Sequence, residues 1–251
     1  WNVNSIRARF ERLAKVLERH SPDVVCLQET KVTDDIFPVA ELKDAGYEAA
    51  FHGQKTYNGV AILSKKKLLD VAKGFGDGND EAQARLVGAT VGGTKILCAY
   101  APNGQAVGTD KYEYKLSWFK RLRKYLDSLG AADATPLVLC GDFNVAPEDK
   151  DVHDPTLWEE QVLCSTKERK ALQSVAAYGL TDAFRHLYPD KVQYTWWDYR
   201  QLGFPKNHGL RIDHIFVTKP LVAKIEDVLV DRDERKGQGA SDHAPVIAVF
   251  K

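Results

Sequence analysis

Several apolar runs of this chain lead directly into a polar residue capable of chemistry. VVCLQE ends at Glu29, KILCAYAPN carries Tyr100 and Asn103, LVLCGDFN carries Asp142 and Asn144, RIDHIFV contains Asp213, and Asp242 and His243 precede APVIAVF. Active sites are commonly assembled from polar groups at the carboxyl ends of sheet strands, so one cleft could collect all of these. Glu29 and Asp142 supply hard carboxylate oxygens, and Asn2 and Asn144 add neutral ones. That set matches Mg²⁺, which keeps several waters and takes few protein ligands. An acid that ends a strand is, singly, most often a cap or turn residue, so the argument rests on the combination.

Asp213 and His243 form a candidate carboxylate and imidazole dyad, in which the acid orients the ring and stabilises its protonated form. His214 adjoins Asp213, but strand alternation sends it to the opposite face of the sheet, outside the site. His20, His52, His153, His186 and His208 have no identifiable partner and read as surface or loop residues.

The elements that must position these groups alternate between helix and strand. Ile6, Phe10, Leu13 and Leu17 predict a helix that follows Asn4-Ser5 and stops at Ser21-Pro22, after which VVCLQE reads as a buried strand. Further strands are predicted over 59–64, 84–91, 95–101 and 136–143. An amphipathic helix over 111–129 carries the stripe Leu116, Phe119, Leu122, Leu126 and Leu129. A helix near 166–178, the YTWWDY segment, RIDHIFVT, a strand near 225–230 and a closing APVIAVF strand complete the pattern. Such apolar runs imply sheets covered by helices on at least one face. The acid- and proline-rich stretch 144–165 reads as a functional excursion and 233–240 as an exposed loop.

With 251 residues and no linker or repeat, the expectation is one α/β domain over 1–251. At that size folding buries roughly 75% of the unfolded surface, enough for a core without staples. Lysine plus arginine and aspartate plus glutamate number 35 each, so composition gives no sign of a polyanion-binding protein and any basic binding surface must be local. The apolar runs are strand-length, which excludes a helical membrane span. Cys26, Cys98, Cys140 and Cys164 form no CxxC pair and read as reduced thiols, pointing to a cytoplasmic protein. WNVN reads as mid-strand, so residues preceding Trp1 are expected.

The blocks WNVNSIRAR, LQETK, YNGVAILS, YAPNG, GDFNVAP, YTWWDYR, GLRIDHI and SDHAPV resemble the ordered motifs of the exonuclease III and apurinic endonuclease family, and they extend from residue 1 to 246. The resemblance implies a deoxyribonuclease I-like four-layer α/β sandwich, two facing mixed sheets flanked by helices. It implies a Mg²⁺-dependent DNA-repair nuclease, with Mn²⁺ an expected substitute, that incises 5′ to abasic sites or trims 3′ ends. Its partners would be double-stranded DNA with abasic sites or recessed or blocked 3′ ends, and the protein a monomer.

Carried over motif by motif, Asn2, Glu29, Asn144 and Asp242 would hold, support or border the metal together with Asp142, which would orient or deprotonate the attacking water. Asn144 would stabilise the transition state, Tyr100 would approach the scissile phosphate beside Asn103, and Asp213 with His243 would form the dyad. Trp196, Leu210 and Ile212 map onto the pocket for an extruded abasic sugar. Arg7, Arg9, Tyr57, Asn58, Lys65 to Lys67, Arg200 and Arg211 are the candidates for DNA contacts. Two departures stand out: Asn4 lies where some relatives carry an acid, and Leu210 where some carry a larger aromatic.

Two rival readings remain. A phosphatase or phosphodiesterase of the same superfamily would share the metal, Asp and His core on a non-DNA substrate. A nonenzymatic binding module would lack a metal or dyad residue, and none is missing.

Overall fold

The computed structural model describes residues 1–79 and 83–251. Its first helix, α1 (Phe10–His20), begins later than the apolar stripe suggests, because Asn4 and Ser5 take left-handed φ of 44° and 92°. Ile6 is buried in the preceding turns instead.

Helix α1 is followed by β1 (Val24–Gln28), α2 (Val39–Asp44), β2 (Glu48–His52), β3 (Val60–Ser64), β4 (Leu69–Lys73), β5 (Leu86–Val91) and β6 (Thr94–Tyr100). The chain continues through α3 (Asp110–Ser128), β7 (Leu137–Asp142), α4 (Thr166–Ala176), β8 (Leu180–Asp182), α5 (Ala183–Leu187), β9 (Asp213–Thr218), α6 (Lys219–Val222), β10 (Ile225–Val230) and β11 (Val246–Phe250).

A three-stranded sheet of order β1-β3-β2 is antiparallel, apart from a lone parallel bridge between Asn2 and Gln28. A six-stranded sheet of order β4-β5-β6-β7-β9-β8 is mixed, with β6 and β7 parallel. Strands β10 and β11 pair with each other.

Alternation along β6 shows how the layers form. Ile96 and Cys98 join Cys26, Ile62 and Val87 between the two sheets, while Leu97 and Ala99 pack on the other face against Trp118, Leu122 and Leu172 of α3 and α4. Because both faces are covered, the strand reads as an unbroken apolar run. Leu13 and Leu17 of α1 and Leu42 of α2 cover the outer face of the smaller sheet through Leu27, Ala61 and Leu63. Helix, sheet, sheet, helix are the four layers.

YTWWDY forms no regular strand; Trp196 bridges Leu210 and His243 singly. The 233–240 loop is less exposed than expected, since Glu234 and Arg235 are buried. All four cysteines are free thiols, and Cys140 alone is not fully buried. Among the described residues no helix is long and apolar enough to cross a membrane.

Candidate active site

Strand register brings the predicted groups together. Tyr100 at the end of β6 lies opposite Asp142 on β7, and Asp142 lies opposite Asp213 on β9. Gly141 permits the close approach behind them: a Cβ there would sit 1.9 Å from the Ala99 carbonyl oxygen, and its φ of 147° disfavours a side chain. From the other sheet, Glu29 follows β1, and the bridge of Gln28 to Asn2 delivers Asn2 beside it.

Asn2 is buried and donates through Nδ2 to Glu29 Oε1 at 2.8 Å and Asp142 Oδ2 at 3.0 Å. Its oxygen accepts the Asn4 backbone N–H at 3.0 Å. The amide nitrogen, not the oxygen, therefore faces the acids, so Asn2 clamps two carboxylates rather than offering an oxygen ligand of its own. The Asn144 side chain is similarly engaged, donating to the Ala101 carbonyl at 3.0 Å and accepting from Asn103 at 3.3 Å, while its backbone N–H caps Asp142 Oδ1 at 2.9 Å.

His243 Nδ1 donates to Asp213 at 2.9 Å, and its Nε2 lies 3.7 Å from Asp142 Oδ2. Burial disfavours a charged ring, but Asp213 and Asp142 outweigh it and hold the imidazolium pKa at about 10. Burial, reinforced by Asp213 and resisted by His243, pushes Asp142 up to about 7. Glu29 would also be raised by burial, yet the Asn2 and Lys31 hydrogen bonds and the nearby cations bring it below its ordinary value. Burial and the charges of Glu29 and Asp142 raise the Tyr100 phenol, which stays protonated and able to donate.

Glu29, Asp142 and His243 each present a ligand atom, all within 4.8 Å of one another. A protonated His243 offers no lone pair, which leaves an oxygen donor set suited to a small hard divalent cation. Asp242 borders this group and is held by Asn4 Nδ2 at 3.1 Å and Trp196 Nε1 at 3.0 Å.

The sequence profile of the Endonuclease/Exonuclease/phosphatase family matches residues 1–243. The chain belongs to the endonuclease/exonuclease/phosphatase family. It is 36% identical to "Exodeoxyribonuclease III" of Haemophilus influenzae over 100% of this chain and 98% of that protein. A solved "3'-5' exonuclease (NExo)" from Neisseria meningitidis superposes with a TM-score of 0.96 at 42% identity, covering 100% of this chain and 97% of that one. An AP endonuclease structure from Archaeoglobus fulgidus superposes with a TM-score of 0.95 at 37% identity, covering 99% and 96%.

Around this family's acidic centre, Leu210, Ile212 and half-buried Trp196 fall into one apolar cluster with Ala146 and Leu163. Tyr57 is 67% exposed on the loop that enters β3, beside the Glu29 end of β1, while Asn58 is buried against Gln54. Arg7 and Asn103 face solvent, and exposed Arg200 is paired with Asp198 at 2.7 Å. Arg9 is spent on the carbonyls of Asn4 and Gly239.

Two expectations are corrected. Arg211 is only 2% exposed, its guanidinium held at 2.7 Å by both Asp151 and Asp182, so it is an internal cation that no phosphate can reach. Lys65 to Lys67 follow Ser64, which pairs with Val24 at the end of β1 remote from Glu29, so they do not flank the cleft.

Sequence reasoning passed over Lys31, whose ammonium lies 2.8 Å from Glu29 and 2.5 Å from Asn4 Oδ1. It also passed over Arg85, stacked 4.8 Å from the centre of the Tyr100 ring. The only signal for Lys31 was its place two residues beyond Glu29, within LQETK.

Proposed function

We propose that this chain is a metal-dependent DNA-repair nuclease that hydrolyses phosphodiesters by attack of an activated water. One observation carries the reading: Asp142 is held by Asn2 and Asn144 between a paired imidazolium and the Glu29 carboxylate, with Tyr100 and Asp213 in register beside it. Relatives named as exodeoxyribonucleases and AP endonucleases support DNA as the substrate class.

Asp142, buried and held in place by the Asn2 side chain and the Asn144 backbone N–H, takes the proton of the attacking water. His243, charged and pinned by Asp213, offsets negative charge as it accumulates on a nonbridging phosphate oxygen. Asn144, which caps Asp142 through its backbone N–H, and Tyr100, in register with Asp142 and protonated, are neutral donors beside this pair. Glu29 and Asp142 would hold the divalent ion, Mg²⁺ with Mn²⁺ as substitute. When bound, that ion would supply Lewis-acid polarisation of the phosphate. The P–O3′ bond breaks, leaving a 3′ hydroxyl and a 5′ phosphate.

Trp196, Leu210 and Ile212 offer an apolar wall for a sugar that lacks a base, which costs little to extrude. Blocked or recessed 3′ ends are the other substrates of this reading, and the chain acts as a monomer in the cytoplasm. The test uses two end-labelled duplexes, one with an internal tetrahydrofuran abasic analogue and one with a recessed 3′ end, each with Mg²⁺ or EDTA. Magnesium-dependent cutting of at least one is expected; cutting of neither rejects the proposal.

A further inference from the structure

Lys115 belongs to the apolar stripe of α3, flanked by buried Tyr112, Trp118 and Phe119, and its side chain is wholly buried. Burying an ammonium is costly, and a hydrophobic residue of similar volume is often the more stable choice. What the charge holds explains its place there.

Its Nζ donates to the backbone carbonyl of Asn144 at 2.6 Å and of Asn103 at 3.0 Å, and pairs closely with Glu168. Glu168, equally buried, accepts the backbone N–H of Leu163 at 3.0 Å and of Ser165 at 3.1 Å. One ion pair therefore ties together the loop after β6, the loop after β7 and the turn that contributes Leu163 to the apolar wall. Asn144 has a left-handed φ of 51°, a conformation that persists where surroundings over-determine it.

We propose that Lys115 is a positioning residue: through the carbonyls of Asn144 and Asn103 it sets the Asn144 backbone N–H against Asp142 and the Asn144 side chain between Asn103 and the Ala101 carbonyl, and through Glu168 it locks that geometry to the pocket wall. This rests on the nuclease reading above. It acts on Asn144 and touches no substrate, so its loss should reduce turnover more than binding. A misplacement of about 1 Å at a reacting group costs roughly 100-fold.

The experiment compares wild type, Lys115→Met and the double variant Lys115→Met with Glu168→Gln on whichever duplex the wild type cuts, alongside thermal unfolding. Lys115→Met should lower Tm, because it strands the Glu168 carboxylate. The double variant removes that stranded charge and should recover most of the lost Tm, while kcat stays down roughly 100-fold and KM changes less than about threefold. Recovery of kcat with Tm, or equal losses in kcat and substrate affinity, would overturn the proposal. If the wild type cuts neither duplex, the nuclease reading fails, and the positioning claim is decided by the backbone amide resonances of Asn103 and Asn144. They should shift in the double variant; unchanged resonances would overturn it.

Discussion

Asp213 and His214 are neighbours on β9, yet they serve two buried charge clusters of opposite character. On one side, among the described residues, Glu29, Asp142, Asp213 and Asp242 meet two cations within hydrogen-bonding or ion-pair reach, His243 and Lys31. On the other, Asp151 and Asp182 meet Arg211 and Arg185, and His214 donates through Nε2 to the Val145 carbonyl at 2.9 Å. The carboxylates report the difference. Burial raises Asp142 to about 7, whereas for Asp151 and Asp182 burial is outweighed by the charge and hydrogen bonds of Arg211 together with Arg185 and His214, which hold them below the usual range. Against burial, Glu29 and Asp242, on the same side as Asp142, are also held down by their hydrogen bonds and nearby cations, so the shortfall of positive charge on that side lies at Asp142 itself.

The strongest way to break this contrast is Asp142→Asn, which keeps the volume and one of the two hydrogen bonds that Asp142 accepts from Asn2 and Asn144. Turnover should fall on the order of 10⁴-fold, the upper range for losing a general base, with little change in Tm. A kcat near wild type would remove Asp142 from the chemistry.

Arg211→Met should do the reverse. Stranding Asp151 and Asp182 should cost about 3–5 kcal/mol in denaturant unfolding, with the kcat of the folded fraction near wild type. If turnover collapses while stability holds, the two clusters are not separate in role.

His243→Ala sharpens the comparison from the catalytic side, because it removes the cation opposite the phosphate. A loss of roughly 10²-fold in kcat is expected, with a far smaller change in duplex Kd. Equal losses would make His243 a binding residue.

The smallest effect is in acid. Folded pKa values of Asp151 and Asp182 below their unfolded values give stability that is complete above about pH 4 and lost as pH falls through the folded values. Unfolding titrations of wild type should show that loss below about pH 4, and Arg211→Met should show less of it. Identical acid profiles would contradict the assignment.

The strands that carry chemistry were legible because they are covered on one or both faces: β1, β3, β5, β6, β7 and β9 all read as apolar runs ending beside a polar residue or a turn. Strands β2, β4 and β8 and helix α2 were not. β4 is an edge strand with Leu69 and Val71 nearly half exposed, and β8 is three residues long. The site's membership followed from strand ends, but the direction of its hydrogen bonds did not. Nothing in WNVN reveals that the Asn2 nitrogen, rather than its oxygen, meets the acids. Arg211 looked like a phosphate contact because its partners lie 60 and 29 residues away in sequence. Lys115 left a signal that was passed over: it sits four residues before Phe119 and seven before Leu122, in the stripe itself, while Leu116 lies at its edge.

A divalent cation should complete the acid-rich side of β9 and leave the arginine-paired side untouched. Mn²⁺ binding followed by electron paramagnetic resonance tests this most directly. Wild type and Arg211→Met should each bind one principal ion, and Glu29→Gln should weaken that binding by roughly tenfold or more. Undiminished binding in Glu29→Gln, or none in the wild type, would contradict the account.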